Sequence, residues 1–182
     1  MIETERLILR NFKISDYKDF KEFACEEGVG PFAFCDEEIA SLMIQDYIKL
    51  SIKKSLRFAI VLKSTNKVIG VIDLMNPHQE RFKNSKITDN SKEVGFTLTK
   101  SYWHQGIMSE ALGAIVKLAF EELNLRVLYA CNTTANIGSS RVQEKCGFNI
   151  IGTHVIYDND SSVIERCITN EDYQTFKKIR NK

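Results

Sequence analysis

An α/β domain is the fold class that this sequence predicts, and three observations carry the prediction. The run E-V-G-F-T-L-T, Glu93 to Thr99, alternates apolar and polar side chains, the period of a half-buried strand. Directly after it a turn with Gly106 at its tip leads into apolar residues at helical spacing: Ile107, Ala111, Ala114, Ile115, Leu118 and Ala119. Strand-like and helix-like segments also alternate along the rest of the 182 residues, with no internal repeat, low-complexity tract or interdomain linker. The chain therefore reads as a single domain over 1–182.

The elements follow in order. R-L-I-L-R, Arg6 to Arg10, alternates and reads as a first strand. Ser15 is expected to cap a helix running through Cys25, with Phe20, Phe23 and Ala24 on its apolar side. G-V-G-P, from Gly28, breaks it. A second helix is expected after Asp36, ending near Ile52. Leu56–Leu62 and Lys67–Leu74 are β-like and are joined by S-T-N-K, which predicts a hairpin. Asn76–Asn90 is polar and irregular; it reads as a surface loop in preference to a flap over substrate. Arg126–Asn132 is a strand. Ile137–Cys146 is a short helix that Gly147 ends. Phe148–Tyr157 and Val163–Thr169 read as a closing hairpin around D-N-D, and a terminal helix starts at Glu171.

Composition narrows the function. Hydrophobic residues make up 43%, enough for a substantial core, and the net charge of +1 supplies no global field that would recruit nucleic acid or an anionic membrane. No apolar run is long enough to span a bilayer, and Glu3 to Arg6 is charged where a secretory signal would turn apolar. Five cysteines, Cys25, Cys35, Cys131, Cys146 and Cys167, form no C-x-x-C pair and no zinc-like spacing. An odd number without a framework predicts reduced thiols, a cytoplasmic protein and no metal.

The segment S-Y-W-H-Q-G-I-M-S-E-A-L, Ser101 to Leu112, carries the chemistry. A strand, a glycine-tipped turn and a helix N-terminus let backbone N–H groups converge on an anion, and the helix dipole adds partial positive charge there. Such a place can hold a diphosphate. Downstream stands N-T-T-A-N-I-G-S-S-R-V-Q-E-K-C-G-F, Asn132 to Phe148. Together the two segments resemble the GNAT N-acetyltransferase superfamily, and most of all its Rim-type (RimJ/RimL-like) branch. That branch carries a Y-W-G-K-G-Y-A-T-E-A-like segment, matched by Tyr102 to Ala111, and an N-x-x-S…K-x-G-F segment, matched by Asn136, Ser139, Lys145, Gly147 and Phe148. The opening E-T-E-R-L-I-L-R, Glu3 to Arg10, is similar to its first strand. The resemblance runs from Ile2 to about Tyr173. Two departures stand out: His104 where the branch has glycine, and Met108 where it has a small residue and where bulk would fall near the diphosphate.

The resemblance implies the GNAT fold: a mixed central sheet, flanked by helices, with two splayed parallel strands that bind CoA. It implies acetyl-CoA as cosubstrate and an amine acceptor, with transfer direct rather than through an acyl-enzyme. The diphosphate would lie on the amides of His104, Gln105, Gly106, Ile107, Met108 and Ser109. The pantetheine arm would pair with the strands Glu93–Thr99 and Arg126–Asn132, with Phe96, Thr97 and Leu98 offering the backbone donor to the thioester carbonyl and Asn136 a further hydrogen bond. Asn136 also reads as a helix N-cap, and both roles are compatible.

Acid and base are read from the residues. Acetyl transfer needs a group to take the amine's proton and one to protonate the departing sulfur. Glu93 is the base candidate, weighed against a solvated carboxylate at a strand end. Asp73 either orients the amine or sits at a strand edge. Many GNAT enzymes place a tyrosine acid where this chain has Gln143, so Ser139 is named for that role, weighed evenly against a helix-capping hydroxyl. Glu110 is expected to be structural, Tyr102 and Trp103 to pack, Cys131 to be a buried thiol, His78 to lie on the loop surface and His154 in a strand. Arg141 and Lys145 share a helix face that either meets the 3′-phosphate of CoA or is solvated. The favoured acceptor is a protein N-terminal α-amine. A small amine such as an antibiotic or polyamine is the alternative, and a non-catalytic CoA-binding regulatory module is the alternative of another class. Oligomeric state, including a homodimer, is left open.

Overall fold

The computed structural model describes residues 1–29, 37–52, 56–155 and 162–180. Two compact units interleave in sequence: residues 1–74 with 95–111, and residues 75–94 with 112–182.

The first unit is built on short strands that pair antiparallel: β1 (Ile2–Glu3), β2 (Leu7–Arg10), β3 (Leu56–Leu62) and β4 (Lys67–Met75, with Met75 in the other unit). The β3–β4 hairpin forms as the sequence predicts, with Asn66 in the left-handed region at φ 55° in its turn. Val68 to Leu74 is buried without a break, the signature of a strand covered on both faces. Helices α1 (Tyr17–Ala24) and α2 (Glu37–Ile52) cover one side of the strands. Phe20, Phe23 and Ala24 from α1 and Ala40, Ile44 and Tyr47 from α2 pack on Ala59, Val61, Val68 and Val71. Phe20 meets Phe12 and Tyr47 edge-on at 5.7 and 5.3 Å, the geometry that aromatic quadrupoles favour.

The entry to α1 differs from the sequence reading. Ser15 lies inside a 3₁₀ turn, Ile14–Asp16, and caps nothing. Asp16 organises the turn instead: its carboxylate accepts from Lys13 N at 2.8 Å and takes a two-pronged ion pair from Arg10 at 2.7 and 2.8 Å. Gly28, at φ +73°, follows the helix as the breaker predicts; Gly30, Pro31 and Cys35 lie outside the described residues.

The second unit holds β6 (Val127–Thr133), α4 (Ile137–Lys145), β7 (Asn149–Val155), β8 (Ser162–Thr169) and α5 (Asn170–Arg180). β8 lies between β6 and β7 and is antiparallel to both. The turn around D-N-D lies outside the described residues. β5 (Ser91–Leu98) and α3 (Ile107–Lys117) each belong partly to both units. Through β5 the hydrogen-bonded strand order is β1-β2-β3-β4-β5-β6-β8-β7, the mixed sheet that the α/β reading expects. α3 ends in a π-helical turn, Leu118–Glu122, closed by Leu123 N donating to Leu118 O at 3.0 Å.

Asn76–Asn90 is not the bare surface loop that its polarity suggests. Phe82 is fully buried, with its ring 5.0 Å from that of Tyr129, and the Lys83 and Asn84 amides donate to Glu165. His78 is exposed, as expected. Among the described residues no disulfide joins the cysteines, and no helix is long and apolar enough to cross a membrane.

Candidate active site

Within the first unit, β5 feeds a short, tightly wired loop. Thr99 turns toward β4, with its N–H and Oγ1 both donating to Ile69 O at 3.0 and 2.9 Å. Leu98 O accepts from Trp103 Nε1 at 2.7 Å. Gly70 permits this close packing: a Cβ there would strike Thr97 O and sit 3.1 Å from Leu98 Cα. Trp103 is thus pinned by its indole N–H although 41% of it is exposed, so it packs only in part.

After a 3₁₀ turn, Lys100–Tyr102, two residues take positive φ: His104 at 59° and Gly106 at 74°. Only glycine enters that region without steric cost, and His104 enters it all the same. Gln105 between them is held at both ends, its Nε2 donating to Ser101 O at 2.8 Å and its carbonyl accepting from Arg6 Nη1 at 3.0 Å. The helical ladder of α3 opens where Glu110 N donates to Gly106 O at 3.0 Å. The Ile107 and Met108 amides belong to the first turn, where no intrahelical acceptor exists. Met108 is buried, 6% exposed, and points into the core. The bulk that its size suggested near the diphosphate is absent from the loop surface.

Glu110 has the structural role expected of it. Its carboxylate accepts from Thr4 Oγ1 at 2.5 Å, Arg6 N at 2.8 Å and Arg6 Nε at 2.6 Å, tying the β1–β2 entry to the start of α3. Burial raises the carboxyl's proton affinity, but these hydrogen bonds and the Arg6 charge outweigh it and leave the group below its ordinary value.

Asp73 lies on β4, between β3 and β5, so the strand-edge reading fails. It is buried and takes Arg57 Nε and Nη2 at 2.8 and 2.5 Å from directly across the β3–β4 ladder. The same guanidinium lies 4.1 Å from the centre of the Tyr47 ring, and burial pushes the Tyr47 phenol up to about 12.

Within the second unit, β5 and β6 form the parallel ladder that the resemblance implies, with the pairs Ser91↔Val127, Lys92↔Leu128 and Glu93↔Tyr129. Glu93 closes it and is 1% exposed, so the solvated strand-end reading is overturned. Arg81, from the 76–90 loop, pairs with its Oε1 through Nη1 at 2.8 Å and donates through Nη2 to Cys131 Sγ at 3.2 Å. Burial pushes the Cys131 thiol up, Arg81 pulls it back and Glu93 adds to the rise; the net effect is upward. The thiol therefore stays protonated at neutral pH, the opposite of an activated nucleophile.

Asn136 caps α4, its Oδ1 accepting from Ser139 N at 3.0 Å. Ser139 is consequently not the cap. Its hydroxyl accepts instead from Gln143 Nε2 at 3.0 Å, one turn on. Arg141 and Lys145 are both exposed on α4, and His154 lies in β7 with Nδ1 2.5 Å from Glu165 Oε1.

Comparison with known proteins places the chain in a family. The acetyltransferase (GNAT) domain family matches residues 6–149. The chain belongs to the GNAT acetyltransferase family. It is 30% identical over 155 residues to the uncharacterized N-acetyltransferase YoaA of Bacillus subtilis, covering 81% of this chain and 82% of that protein. A GNAT-family acetyltransferase structure from Bacillus anthracis superposes with a TM-score of 0.78 at 23% identity, covering 93% and 98% of the two chains. The ribosomal-protein-S5-alanine acetyltransferase of Vibrio fischeri gives 0.74 at 21%, covering 94% and 97%. A spermidine/spermine N-acetyltransferase of Vibrio cholerae gives 0.70 at 17%, covering 96% and 99%. At these identities the structures speak to the fold.

As a GNAT N-acetyltransferase, the chain transfers acetyl groups, and the family draws them from acetyl-CoA. Two residues of the candidate site were missed from sequence. Arg81 stands in a polar run where nothing marks it except its neighbour Phe82, a lone aromatic that could have signalled an anchored loop. In the sequence Gln143 stands only where many GNAT enzymes have a tyrosine, although a glutamine on the α4 face beside Val142 and Cys146 has to bond to something once buried.

Proposed function

We propose that this protein is a Rim-type, cytoplasmic enzyme that acetylates a protein N-terminal α-amine from acetyl-CoA, by direct transfer in a ternary complex. The observation that carries the reading is the left-handed turn His104–Gly106 ahead of α3, fixed by Arg6 and by the Gln105 side chain. Such a turn aims successive backbone N–H groups at one point, where a diphosphate adds two acceptors to a positive dipole end. His104 to Ser109 would supply those amides. The backbone around Phe96, Thr97 and Leu98 would polarise the thioester carbonyl. Asn136 would bond the pantetheine while still capping α4.

Glu93 would take the proton that the ammonium must lose before nitrogen can attack. Ser139 would give a proton to the departing sulfur. No acetyl-enzyme is needed, and the raised Cys131 thiol offers no nucleophile. The acceptor assignment is supported by the likeness to the ribosomal-protein acetyltransferase fold; the likeness to a spermidine/spermine enzyme favours a small polyamine as the second reading. The test is release of CoA thiol with peptides bearing N-terminal serine or alanine, beside spermidine and an aminoglycoside. Turnover confined to the small amines would reverse the order of the two readings.

A further inference from the structure

We propose that Gln143 is a positioning residue that makes the Ser139 hydroxyl a proton donor; this rests on the reading of Ser139 as the group that protonates the departing sulfur. Gln143 is 1% exposed, and its Nε2 donates to Ser139 Oγ at 3.0 Å. Its own Oε1 is buried with no partner. An orphaned buried carbonyl is costly, and a leucine at the same place would avoid that cost. The bond does not serve to start the helix, because Asn136 already caps α4 through Ser139 N. What it does is assign the roles on the serine oxygen. A hydroxyl carries one proton and two lone pairs. With Nε2–H occupying a lone pair, the hydroxyl proton is left to be given to another group. A residue that accepted from Ser139 would consume that proton.

The chemistry uses this arrangement. As the neutral amine nitrogen bonds to the carbonyl carbon, the C–S bond breaks and sulfur leaves with the electron pair. Sulfur takes the proton of Ser139 Oγ. The acylated nitrogen sheds its surplus proton to water and the serine oxygen regains one from water, so none is gained or lost overall. While the proton is leaving, negative charge builds on Oγ, and a donor already fixed 3.0 Å away stabilises it without reorganisation.

The test follows CoA thiol release from acetyl-CoA, with an N-terminal-serine peptide and with water alone as acceptor. It compares the wild type, Ser139→Ala, Gln143→Leu and the double variant. Gln143→Leu is expected to lower kcat roughly tenfold, to leave KM for acetyl-CoA unchanged, and to cost nothing further in the Ser139→Ala background. Gln143→Glu keeps the shape but accepts where glutamine donates; it is expected to lose as much, and it decides the matter if the leucine variant does not fold. Wild-type kcat in a folded Gln143 variant, or equal losses in both backgrounds, overturns the proposal. Wild-type kcat in Ser139→Ala removes Ser139 from the chemistry and the role of Gln143 with it. A wild type that releases no thiol with the peptide, with water, with spermidine or with an aminoglycoside overturns both this proposal and the assigned reaction.

Discussion

The guanidinium of Arg81 meets Glu93 Oε1 at 2.8 Å and reaches Cys131 Sγ at 3.2 Å, so one loop residue serves two side chains, from β5 and β6. A carboxylate that is 1% exposed needs such a partner, since an isolated buried charge is far more costly than a paired one. If Glu93 also takes the amine's proton, Glu93→Gln should lower turnover by ~10²–10⁴ while leaving CoA affinity nearly intact. Steady-state kinetics with a calorimetric CoA titration checks this. Unchanged turnover would leave the pair with a structural role alone.

Arg81→Ala separates the loop from the chemistry. It removes the cation paired with the Glu93 carboxylate and should cost roughly 1–3 kcal/mol of stability. In the Glu93→Gln background the cost should shrink, because no charge is left to compensate. Urea melts of the two single variants and the double variant give the coupling directly. Equal costs in both backgrounds would show that Arg81 stabilises through something other than Glu93.

The diphosphate loop makes two opposite predictions. A Cβ at Gly106 would lie 3.7 Å from Arg6 Nη2, an ordinary contact, so space is not the obstacle. The obstacle is φ +74°, which a β-branched residue resists. Gly106→Val should therefore weaken CoA binding at least about tenfold by re-aiming the amides. His104→Gly relieves a left-handed non-glycine residue and should stabilise the fold by about 1 kcal/mol, with CoA affinity kept. Tighter CoA binding by Gly106→Val than by the wild type would break the link between this turn and the cofactor.

Local patterns in the sequence were enough to find the strands, the helices and the diphosphate loop, because strand alternation at Glu93–Thr99 and helical spacing from Ile107 are properties of neighbouring residues. Long-range pairing was not legible. Arg57 and Asp73 meet only because the β3–β4 register sets them opposite each other, and Ser15 lost its cap role because Asp16 is held by Arg10. The 76–90 loop reads as bare surface for the same reason: its polarity is real, but Phe82 finds Tyr129 only in three dimensions. Ser139 illustrates a finer limit. The N-x-x-S spacing shows that one of the two residues caps the helix, and only geometry shows that it is Asn136.

Cys131 should be dispensable for chemistry. Burial, helped by Glu93, raises its thiol against the pull of Arg81, so little thiolate exists near neutral pH. Cys131→Ala should keep its turnover, with a modest loss of stability from the vacated Arg81 contact. Intact-mass measurement after incubation with acetyl-CoA should show no added acetyl group. A stable acetyl adduct on Cys131 with ping-pong kinetics would contradict direct transfer.

The last prediction concerns pH and the Glu110 clasp. Its carboxyl titrates below the ordinary value of 4.5, because Thr4 and Arg6 outweigh the effect of burial. A group with a depressed folded value contributes stability above its unfolded value and loses that contribution as pH falls through the folded one. Glu110→Gln should thus be less stable than the wild type at neutral pH. Arg6 is 42% exposed and solvent screens the pair, so the gap should be about 1 kcal/mol. It should hold steady down to about pH 5 and narrow below the usual carboxylate range, where the wild-type group gains its proton. Chemical denaturation of both proteins across that range measures the gap. A difference that did not change with pH would assign the role of Glu110 to its neutral hydrogen bonds, with the Arg6 charge contributing nothing.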